Sequence, residues 1–248
     1  VSKGDIHGAW AFVDSMNRGG IACDTYTCCI MMKALKPNTS KVAVDRTFKM
    51  LDELPKVQED QVLLNTVLET CIRLKDKKRL ESCMRIFMVD RFNFERREKE
   101  VQSQSRAPKF TMHSYTILMN VYGFLKDRDM LYRIWERRDA RANDQFVLSM
   151  LTNLTCVELP YKVDHFFAEQ IVTPKLLKGH TLQSAYAIVI KYLAADREMG
   201  PKPALQHYKQ ARNDGLKVPS TAYNPLLEHL NNSGNLEDLK WVFDDLCE

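Results

Sequence analysis

The stretch "TAYNPLLEHLNNSGNLEDLKWVFDDLCE" (221–248) decides the fold. Tyr223, Leu226, Leu227 and Leu230 recur at the three-and-four spacing of one helix face. Asn231, Asn232, Ser233 and Gly234 then interrupt that face, as turn residues do. A second apolar stripe follows at Leu236, Leu239, Val242, Phe243 and Leu246. Two helices of this size cannot bury both stripes against each other alone, so the pair must stack on something more.

Working outward, the same helix–turn–helix pattern returns upstream. "LQHYKQARNDGLKVPSTAYNPLL" (205–227) and "GDIHGAWAFVDSMNRGGIACDTYTCCIMMKAL" (4–35) each hold a helix, a Gly turn and a new helix. Anchor residues keep a near-fixed distance: Val13 to Phe48 and Tyr208 to Phe243 are both 35 residues apart, and Tyr115 to Tyr223 is 108, three units of 36. A period in this range marks a helical solenoid, in which each unit leaves an apolar face that the next one covers. The expected architecture is therefore all-α: an α-solenoid superhelix, right-handed, of about thirteen helices in stacked antiparallel pairs with a period near 35 residues. Residues 1–248 divide into a half unit (1–24) and units near 25–60, 61–111, 112–144, 145–182, 183–219 and 220–248, with a charged insertion at 90–110. Both ends fall inside units, and Leu246 and Cys247 do not look like a cap, so the reading expects the array to continue both ways.

Composition agrees with this class. Apolar residues make up 45% of the 248, enough for a substantial core, while nine Gly and nine Pro are too few for a turn-rich β protein. No apolar run approaches 18 residues, so no membrane span is expected. The net charge of +4 permits an anionic partner without demanding one. The seven cysteines form no Cys-x-x-Cys pair and read as reduced, buried thiols. The six histidines (7, 113, 165, 180, 207 and 229) are dispersed, and no catalytic, metal or nucleotide motif occurs. The reading is accordingly not an enzyme, with no catalytic residues, no metal and no cofactor.

"AYNPLLEHLNNSGNLEDLKWVFDDL" (222–246) resembles the pentatricopeptide repeat, as do parts of "GGIACD" (19–24), "LLNTVLETCIRL" (63–74) and "SYTILMNVYGFLKDRDMLYRIW" (114–135). The resemblance implies single-stranded RNA binding in organelle RNA metabolism, in a mitochondrion or plastid, with one base read per repeat. It also implies which residues touch RNA. The first reading position falls on Cys29, Asn65, Thr116, Ser149 and Asn224, with Ala187 in the sixth unit. The closing position falls on Asp24, on Glu59 or Asp60, and on Asp144, while Pro219 closes the sixth unit and has no group to read with. Base-sandwiching positions fall on Tyr26, Val62, His113, Phe146 and Thr221. Thr116 with Asp144 is the pair expected to favour guanine; Asn65 and Asn224 each point to a pyrimidine.

The segment 91–109 mixes Arg91, Arg96, Arg97, Lys99, Arg106 and Lys109 with Glu95, Glu98 and Glu100. Mixed signs read as a solvated segment, or as an arm that contacts phosphates. Two alternatives stand beside RNA binding. One is a protein–protein scaffold subunit of an organellar ribosome or other large complex; the other is the RNA-guiding part of a nuclease or editing protein whose catalytic domain lies outside these residues.

Overall fold

The computed structural model describes residues 5–55, 57–96, 110–137 and 143–247. They fold as two compact units, Val1–Leu125 and Lys126–Glu248. The first holds α1 (Ile6–Arg18), α2 (Thr25–Ala34), α3 (Lys41–Glu53), a 3₁₀ turn at Val57–Glu59, α4 (Gln61–Leu74), α5 (Lys77–Ile86) and α6 (Met112–Leu125). The second holds α7 (Arg128–Glu136), α8 (Asp144–Val157), α9 (Pro160–Phe167), a π turn at Ala168–Val172, α10 (Gly179–Ala195), α11 (Lys202–Asn213), α12 (Ser220–Asn232) and α13 (Leu236–Cys247). There is no strand among the described residues.

The helices start where side chains can satisfy their first amides. Asp24, Asp60, Asp76 and Asp127 each accept the N–H three residues on, as does Asn143. Many end alike too. At α4 the Lys75 and Asp76 amides donate back to the Ile72 and Cys71 carbonyls, and Gly215 and Leu216 repeat the arrangement after α11. The residue that turns the chain is left-handed at each site, with φ 72° at Gly215 but φ 55° at Lys75, where a side chain makes that conformation strained.

Within each unit the first helices of successive pairs lie side by side. In the first unit α2 packs on α4 and α4 on α6; in the second α8 packs on α10 and α10 on α12. These helices are covered on several sides, so α4 buries Leu63, Leu64, Thr66, Val67, Leu68, Thr70 and Cys71, most of its circumference. The second helices bury a single stripe, such as Leu80, Cys83 and Met84 on α5. Buried threonines in this packing turn their hydroxyls onto their own helix: Thr70 donates to the Thr66 carbonyl at 2.7 Å and Thr47 to that of Ala43 at 2.8 Å.

A cation ties neighbouring first helices at their carbonyl ends. Arg73 of α4 donates to the Met32 and Leu35 carbonyls of α2, at 2.9 and 3.1 Å, where the helix leaves acceptors unsatisfied. In the second unit the ring of His229 on α12 meets the Ala194 carbonyl of α10 at 2.9 Å.

The first helices begin 36, 51, 32, 35 and 41 residues apart, so the spacing near 35 is stretched twice. The larger stretch is the charged insertion. Its residues 97–109 lie outside the described residues; in its flanks Arg91, Phe92, Glu95 and Arg96 are exposed, while Phe94 is buried, its ring stacks on Phe110 at 6.1 Å, and Phe110 meets Tyr115 of α6 edge-on at 5.7 Å. The smaller stretch precedes α12. In the unit before it, α10 begins at Gly179 rather than at 183, after a π turn and a loop that carry the chain to a left-handed glycine at φ 52°. All seven cysteines carry free thiols; Cys156 and Cys247 are exposed, against the expectation of burial, because they fall on the outward faces of α8 and α13.

Candidate functional site

The site the resemblance points to is the N-terminal edge of the first helices. The caps set the register there. Counting from each cap, the second residue is Tyr26 after Asp24, Val62 after Asp60 and His113 after Thr111. Thr111 acts as the third cap, its hydroxyl accepting the Ser114 N–H at 3.2 Å. All three side chains are exposed, Tyr26 at 73% and Val62 at 66%. They stand at one level of three helices packed in sequence, α2 on α4 on α6.

The fifth residue from each cap lies deeper. Cys29 is buried; burial chiefly raises its thiol pKa, a hydrogen bond with Thr66 of α4 pulls the other way, and the Asp60 carboxylate adds to the rise. Asn65 is half-buried and donates to Ser114 Oγ of α6 at 3.2 Å, and Ser114 in turn meets Thr111 Oγ1 at 3.2 Å. The fifth residue of one helix thus sits beside the cap of the next, Cys29 by Asp60 and Asn65 by Thr111. Thr116 is buried and donates to the Met112 carbonyl of its own helix at 2.8 Å.

The caps are largely committed already. Asp24 accepts the Thr27 N–H at 2.8 Å and its hydroxyl at 2.7 Å, and these bonds hold its carboxyl below the usual carboxylate range. Asp60, rather than Glu59, caps α4 through the Leu63 N–H at 2.8 Å. A carboxylate oxygen accepts only, so such a cap can meet an amino group of a base edge but not a carbonyl.

In the second unit the register differs from the sequence reading by one residue. The cap of α8 is Asn143, not Asp144. Phe146 is therefore the third residue; its ring is fully buried and lies parallel to Trp135, 5.6 Å between centroids and 2° between planes, so it offers no face to a base. The exposed second residue is Gln145, and the fifth is the half-buried Leu148 rather than the buried Ser149. Asp144 instead accepts the Thr181 hydroxyl of α10 at 2.7 Å. On α12, capped by Pro219 without a side-chain bond, Thr221 and Asn224 are both exposed. Ala187 of α10 is buried.

Sequence reasoning missed Thr111, Ser114, Asn143, Gln145 and Leu148. The cap signal was present in "ANDQF" (142–146), where Asn stands three residues before the apolar run, but the acidic neighbour drew the assignment. Among the described residues no group of three or more metal-ligating side chains converges, and no helix is long and apolar enough to cross a membrane.

No curated protein matches the chain. Residues 1–87, which carry α1 to α5 and hence the first two of these edges, match the family model of the pentatricopeptide repeat-containing protein, the family that the sequence resembles.

Proposed function

We propose that the chain binds single-stranded RNA along the N-terminal edge of its first helices, as a non-catalytic module of organellar RNA metabolism. One observation carries the reading: Tyr26, Val62 and His113 stand exposed at the same turn of three successively packed helices, and between the second and third of these Asn65 reaches Ser114, which meets the cap Thr111. Flat or apolar side chains so repeated suit the faces of unpaired bases, and every base has a face to stack. Cap and fifth residue supply the polar edge: Asp60 beside Cys29, Thr111 beside Asn65.

The test is binding to random single-stranded RNA with Tyr26→Ala/His113→Ala. Both side chains are exposed, so the fold should be kept, and affinity should fall by about 1–3 kcal/mol for each base that loses its stack. Unchanged affinity in that variant would discard the edge as the RNA site. The scaffold reading is favoured by one feature, the exposed apolar side chains Phe12 and Val42 on the second helices α1 and α3. It gains if the unmodified chain binds RNA no better than a scrambled basic control.

A further inference from the structure

A cleft of about 740 Å³ opens in the second unit, built from the second helices α7 and α9 and the π turn that follows. Its floor is aromatic. Phe166 meets Trp135 edge-on at 5.2 Å and Tyr132 at 6.3 Å, and the half-exposed Tyr161 stands at the rim. Two carboxylates, Glu136 and Glu169, also line it; both are exposed, and neither makes an ion pair among the described residues. Lys162 and His165 share the lining, but the Lys162 ammonium already faces the buried carboxylate of Glu158 at 3.4 Å.

Backbone geometry strengthens the negative side. Glu136 is the last residue of α7, where the unsatisfied carbonyls put the negative end of the helix dipole. Glu169 and Gln170 sit on the π turn, in which Thr173 donates through both its N–H, at 2.9 Å, and its hydroxyl, at 2.8 Å, to the Ala168 carbonyl. Turns of this kind are rare and gather at functional sites. This one carries Glu169 onto the rim of the aromatic floor.

We propose that this cleft docks an arginine side chain from a protein partner. A guanidinium is flat enough to lie on the aromatic floor while its fork of N–H groups reaches the two carboxylates, and it sheds water more readily than an ammonium. The charge left without a partner in the cleft is negative, which turns away phosphate and favours a cation. The site is separate from the first-helix edges proposed for RNA and does not depend on that reading.

The experiment titrates the full chain against a fluorescent pentapeptide, Gly-Ser-Arg-Ser-Gly blocked at both ends, and against the matched peptide with neutral citrulline in place of Arg. Anisotropy should show the arginine peptide binding at least fivefold tighter. Glu136→Gln/Glu169→Gln, with both positions on the surface and the fold checked by circular dichroism, should bring the two peptides within twofold of each other. Tyr161→Ala should weaken the arginine peptide severalfold. Equal binding of the two peptides to the unmodified chain, or a preference that survives the double substitution, overturns the proposal. Displacement of the peptide by a single-stranded RNA oligomer would overturn it as well, since the cleft would then take nucleic acid.

Discussion

Gln145 and Phe146 are neighbours on one helix turn, and the cap register assigns them opposite roles. Truncating Phe146 to Ala removes a ring with no exposure, and a buried Phe→Ala change costs about 3–5 kcal/mol, including the cavity left behind. The parallel contact with Trp135 places the expected loss in the upper half of that range, since aromatic pairs add about 0.5–1.5 kcal/mol beyond buried area. Against a typical total of about 5–15 kcal/mol, this leaves the second unit close to unfolding. Gln145→Ala should stay within about 0.5 kcal/mol of the unmodified chain, as surface changes do. Gln145→Tyr should add a stacking face of about 1–3 kcal/mol towards one base. Urea denaturation followed by circular dichroism measures the first two effects, and RNA titration at low urea the third. A Phe146→Ala protein that keeps its denaturation midpoint but loses RNA affinity would refute the register, because Phe146 would then be a contact and not core.

The remaining predictions concern stability. Arg73→Met should cost about 1 kcal/mol, below the range for charged hydrogen bonds because the exposed guanidinium is screened, and Arg73→Lys should recover part of it; equal denaturation midpoints for all three proteins would contradict the carbonyl-end tie. Lys75→Gly should stabilise by up to about 1 kcal/mol and Gly215→Ala destabilise by about as much, since both positions are left-handed; thermal melts give the two signs. Burial pushes the Cys28 thiol from 9.0 up to about 12 and the Tyr186 phenol from 10.0 up to about 12. The unfolded chain therefore sheds these protons first, so stability should hold below about pH 9 and fall as pH rises from there through about 12. Denaturation midpoints at pH 8, 9, 10 and 11 check this, and a flat profile would rule it out.

The helices were legible because their apolar spacing survives every irregularity: the stripe at Leu236, Val242 and Phe243 needs no partner to be recognised. The matches to the repeat were legible for the same reason in residues 1–87, where helix starts lie 36 residues apart. What the sequence hid was register. Asn143 and Asp144 are both good caps, and only the amide actually accepted, that of Phe146, decides between them. Depth was hidden too. Thr116 looks like a reader, but a hydroxyl can be satisfied by its own helix, and nothing in "HSYTILM" (113–119) says which way it turns. In the insertion the charges outnumber two phenylalanines, so the sequence does not show that Phe94 stacks on Phe110 and Phe110 meets Tyr115 of α6 edge-on.

The tie between Arg73 and the carbonyl end of α2 has a mechanical meaning. It joins α4 to the main chain of its neighbour at one end only. At the opposite end α4 meets its other neighbour, α6, through a side-chain hydrogen bond from Asn65 to Ser114. The α2–α4 pair is thus pinned like two leaves of a hand-held fan: riveted to the main chain at the base, and held at the rim, where Tyr26 and Val62 stand, by the packing of buried side chains such as Cys28 and Leu63.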